Sequence, residues 1–116
     1  MTKHSNIPYL NHIIEAISDI NESVKEITKE QFLVSKDIRD ASIRRLELIG
    51  EAVKNISSDL KSNHPEIAWS KIAGTRDKVI HNYFGVNLNI IWDIIKTELP
   101  ELKRKLDTIM KTDTEE

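Results

Sequence analysis

One apolar stripe constrains this chain more than any other feature. Leu10, Ile13, Ile14, Ile17, Ile20, Val24 and Ile27 recur at spacings of three and four. That is the period of an amphipathic helix. Pro8 suits a first helical turn, where a missing N–H costs nothing. The stripe predicts a helix from Pro8 to Lys29. A second stripe through Phe32, Ile38, Ala41, Leu46, Ile49, Ala52, Val53 and Ile56 predicts another from Glu30 to Ile56, with Gly50 inside it. Glycine in a helix interior costs about 1 kcal/mol relative to alanine. Close approach of a neighbouring helix is the usual compensation. Two long helices with a short join form an antiparallel hairpin.

The chain then turns polar from Ser57 to Pro65, with room for one helical turn around Leu60. A third helix is expected from Trp69, ending at Gly85, a residue free to take positive φ. Asn87 is a good N-cap for a fourth, which carries Leu88, Ile91, Trp92, Ile94, Ile95 and Leu99. Pro100 forces a kink or a fresh start, and Leu102, Leu106 and Ile109 continue the stripe. The tail 112–116 is expected to fray. Only three Gly and three Pro occur in 116 residues, too few turn formers for a sandwich or barrel. The expected architecture is all-α, an up-and-down bundle of four to five helices in one domain over residues 1–116.

Composition removes several functions. The chain has no Cys, so zinc–thiolate sites, iron–sulfur clusters and thiol nucleophiles are excluded. A cytoplasmic setting is expected. The first residues lack the basic and apolar runs of a signal peptide, and no apolar stretch is long enough to span a membrane. A pI near 6.1 argues against non-specific duplex binding.

The third helix breaks its own pattern. On a wheel of about 100° per residue, Arg76 sits at the centre of an apolar face made by Ile72, Val79, Ile80 and Tyr83. A charge there needs an anion. Glu47 or Glu51 of the second helix could supply it, and so could a ligand phosphate, which the planar guanidinium grips with two parallel hydrogen bonds. His81 lies about 140° away on the same wheel. Either the helix distorts there, or a second copy of the chain completes the site across a two-fold axis. Arg can stabilise a phosphorane-like transition state, His can move protons near neutral pH, and Tyr can orient a substrate. RNA carries its own nucleophile in the 2′-hydroxyl. Arg76, His81 and Tyr83 therefore suffice in kind for RNA cleavage that needs no metal and no cofactor. Asp77 and Asn82 could hydrogen-bond to Arg76 or His81, or simply be solvated.

The segment R-D-K-V-I-H-N-Y at 76–83 resembles the HEPN signature, Arg, four residues, His, one residue, Tyr. Its setting, W-S-K-I-A-G-T before it, F-G-V-N after it and R-R-L-E-L-I-G-E-A at 44–52, is similar to the HepT branch of HEPN proteins over nearly the whole chain. The position between His and Tyr, often Asp in that branch, is Asn82. The resemblance implies a helical bundle that dimerises with its two motifs facing, a ribonuclease toxin of a two-gene toxin–antitoxin module, and a minimal nucleotidyltransferase, MntA, as antitoxin. Carried over, Arg76 and His81 are catalytic. Tyr83 is a site residue and the acceptor of AMP groups from ATP. Apart from the resemblance, Asp77, Asn82 and Glu47 are candidates to support the site. Each AMP adds charge and bulk where RNA phosphates must sit. A non-catalytic alternative also stands: a helical subunit that binds nucleotide or substrate for a nucleotidyltransferase. His4, His12 and His64 lack ligand spacing and read as surface residues. Trp69 and Trp92 read as packing anchors. Lys71, Arg76 and Lys78 make a modest basic patch or an ordinary solvated face.

Overall fold

The computed structural model describes residues 5–74 and 87–113, and every regular element among them is helical. They are α1 (Ile7–Val24), α2 (Lys29–Val34), α3 (Lys36–Lys54), α4 (Ser58–Asn63), α5 (from 69, described to 74), α6 (Leu88–Asp93), a π-helical segment (Ile94–Glu98) and α7 (Leu99–Asp113). The expected helix ends at Gly85 and in the tail beyond 113 lie outside the described residues.

The stripe of α1 is buried as the spacing demands. Ile13, Ile17 and Ile20 are fully buried, flanked by Leu10 and Val24. They pack against α3 on one side and against α7 and the π segment on the other. Antiparallel pairing of α1 and α3 shows in a reciprocal clasp. The Asn6 amide donates to Ser57 Oγ at 3.0 Å, and the Ser57 N–H donates to Asn6 Oδ1 at 2.9 Å. The start of α1 thus meets the end of α3. The same Ser57 Oγ accepts from Leu60 N–H and caps α4. At the other end, the Lys96 ammonium reaches the Val24 carbonyl at 3.5 Å and sits 5.1 Å from the Trp92 ring centroid. A cation there suits the negative end of α1.

Two helix boundaries differ from the sequence expectation. α1 stops at Val24 rather than Lys29, and the second helix is broken at Ser35. The causes are local caps. Thr28 and Gln31 form a capping box: Thr28 Oγ1 accepts from Gln31 N–H at 3.1 Å, and Gln31 Oε1 accepts from Thr28 N–H at 2.8 Å. Ser35 is extended (φ -91, ψ 100), ends α2 with its own N–H and caps α3 through Oγ. The six-residue gap from Phe32 to Ile38, off the helical period, was the sequence signal for that break. The helical turn expected around Leu60 is α4, with Leu60 buried. Asn87 caps α6 as expected, its Oδ1 accepting from Asn89 N–H at 3.0 Å.

The π segment also has a sequence cause. Ile91, Ile95 and Leu99 are buried yet spaced by four twice. On a regular α-helix such spacing drifts by about 80° over eight residues. One widened turn, in which Leu99 N–H reaches back to Ile94 O, returns all three to one face. Pro100 just after it has no N–H to offer the Lys96 carbonyl, so the ladder is already open there. α7 then runs to Asp113, past the point where fraying was expected.

Two stability results follow. Ser42 is fully buried and its hydroxyl has no hydrogen-bond partner among the described residues. Replacing it with alanine removes an unsatisfied group, so Ser42→Ala should leave thermal stability unchanged or raise it by about 1 kcal/mol. Ser35→Ala, which removes the α3 cap, should lower stability by about 1 kcal/mol in the same melt.

Candidate functional site

Arg76, Asp77, His81, Asn82 and Tyr83, singled out from the sequence, lie outside the described residues, as does His4. What the structure describes is the frame around them: the approach through α5, the departure through α6, and the flank of α3.

The approach is firmly anchored. Trp69, the first residue of α5, is 7% exposed, and its indole N–H donates to the His64 carbonyl at 3.0 Å. Ile67 N–H bonds the same carbonyl, and Lys105 of α7 donates to the Glu66 carbonyl at 3.1 Å. His64, expected at the surface, is instead half-buried, with Nδ1 3.3 Å from Glu66 Oε2. The Glu66 carboxyl lies below its usual range, first through a backbone hydrogen bond and then through His64 and Lys105. His12 is exposed as expected.

The departure is anchored by aromatic packing. Trp92 lies 5.2 Å from the Phe32 ring, centroid to centroid, at a tilt of 44°. Phe32 is fully buried. Both tryptophans therefore act as packing anchors, one on each side of the motif.

On α3, Glu47 is half-buried, one turn from buried Ile43 and three residues before buried Gly50. Glu51 is exposed. Of the two carboxylates weighed as partners for Arg76, Glu47 is the one on the partly covered face. Among the described residues it has no cation beside it. Between α3, α5, the π segment and α7 runs a groove of about 470 Å³. Leu46, Ile49, Ile72, Ile94 and Leu102 form its apolar wall, which carries no group able to move a proton. Lys71 stands at its edge with Nζ 2.9 Å from Glu98 Oε1. The expected basic patch thus has one member already paired, by a residue 27 positions away that no local spacing could indicate. Among the described residues, no three His, Cys, Asp or Glu come together to hold a metal ion. None of the described helices is long and apolar enough to cross a membrane.

Gly74, two residues before Arg76, is helical, and a Cβ there would meet nothing within 4 Å. Gly74→Ala should therefore raise stability by about 0.5–1 kcal/mol in denaturant unfolding, through helix propensity alone.

The sequence matches the family described as Ribonuclease HepT-like over residues 13–109. It is similar to a Thermococcus cleftensis protein named "Probable ribonuclease HepT", at 48% identity over 109 residues, which are 94% of this chain and 99% of that protein. A Caldanaerobacter subterraneus subsp. tengcongensis protein named "Putative RNase TTE0752" is 44% identical over 104 residues, 90% of this chain and 93% of that protein. No solved structure matches the chain at a significant level.

Proposed function

Because the chain belongs to the HepT-like ribonuclease family, we propose that it is an endoribonuclease that cuts RNA through the substrate's own 2′-hydroxyl, with no metal in the reaction. The observation that carries this reading is the match over residues 13–109, inside which the Arg-x4-His-x-Tyr segment falls at 76–83. Arg76 binds the scissile phosphate and stabilises the charge that builds on it. His81 takes the proton from the 2′-hydroxyl, whose oxygen attacks phosphorus as the bond to the 5′-oxygen breaks. The leaving 5′-oxygen takes a proton from water, His81 returns its own proton to solvent, and the products are a 2′,3′-cyclic phosphate and a 5′-hydroxyl. Tyr83 positions the substrate.

Several finer points belong to the same proposal. Glu47, on the half-buried face of α3, orients Arg76, while Asp77 and Asn82 support the proton network. Two chains form a homodimer with their motifs facing, which answers the large angle between Arg76 and His81 on one helix. The protein is the toxin of a two-gene module. A nucleotidyltransferase antitoxin silences it by transferring AMP from ATP to the Tyr83 hydroxyl, with pyrophosphate leaving. The added phosphate repels RNA, and the base blocks it.

The test is RNA cleavage in EDTA by antitoxin-free protein whose Tyr83 is unmodified by mass spectrometry. Wild type should release fragments ending in cyclic phosphate. His81→Ala should lose at least about a hundredfold in rate, the low end of what a proton-transfer group contributes. Cleavage by neither protein would move the assignment to a nucleotide-binding partner subunit. Incubation with the nucleotidyltransferase and ATP should add the mass of AMP to wild type, and Tyr83→Phe should gain none.

A further inference from the structure

We draw no further inference here: the strongest candidate, the groove between α1 and α3 lined by Tyr9, His12, Glu15, Asp19, Leu48 and Glu51, carries none, since its rim is a cluster of surface carboxylates and nothing in the structure shows what covers it.

Discussion

Everything described in this bundle depends on burying the stripe of α1. Ile13, Ile17 and Ile20 have no contact with water, and neither α3 nor α7 alone covers that face. One helix laid against α1 shields half of an apolar surface that is over 100° wide. The second half needs the π segment and α7.

The ends of the elements are held by short polar contacts rather than by further burial. Asn6 and Ser57 clasp one end of the α1–α3 pair, and Lys96 meets the Val24 carbonyl at the other end of α1. Each satisfies backbone or hydroxyl groups that a helix terminus leaves open. Asn6 makes no cap on its own helix, because its side chain is spent on Ser57. The candidate segment is preceded by Trp69, locked to the His64 carbonyl, and followed by Trp92, packed on Phe32. Rigid supports on both sides are what a site built on positioned charges needs.

The candidate residues are a reading of residue type and of the Arg-x4-His-x-Tyr segment at 76–83, which a linear sequence records directly. Arg76 and Tyr83 share one apolar face of a helical wheel, while His81 lies about 140° from Arg76. Glu47 was legible as a candidate, since carboxylates on the second helix are the natural partners of a buried arginine. The structure adds that Glu47 is on the partly covered face and Glu51 is exposed. Lys71–Glu98 was not legible. Contacts between residues far apart in the chain depend on how two helices cross, and period and composition carry no record of that.

The sequence by itself determined the helical class, the burial of the stripes in α1 and α7 and the cap at Asn87. These follow from local periodicity and from which backbone groups a residue can satisfy. The break at Ser35 was also written locally, in a serine able to cap α3 and an off-period gap from Phe32 to Ile38. Tertiary structure alone decided the rest. It paired Asn6 with Ser57, turned His64 from the surface to a half-buried support, and left the Ser42 hydroxyl without a partner among the described residues. The widened turn at Ile94–Glu98 has both causes: the spacing of Ile91, Ile95 and Leu99 and the missing N–H of Pro100 call for it, and packing on the core fixes it. The physical reason is common to them. A helix's own residues set its periodicity, but the neighbour it packs against sets which polar groups meet and how much rotational error the packing must absorb.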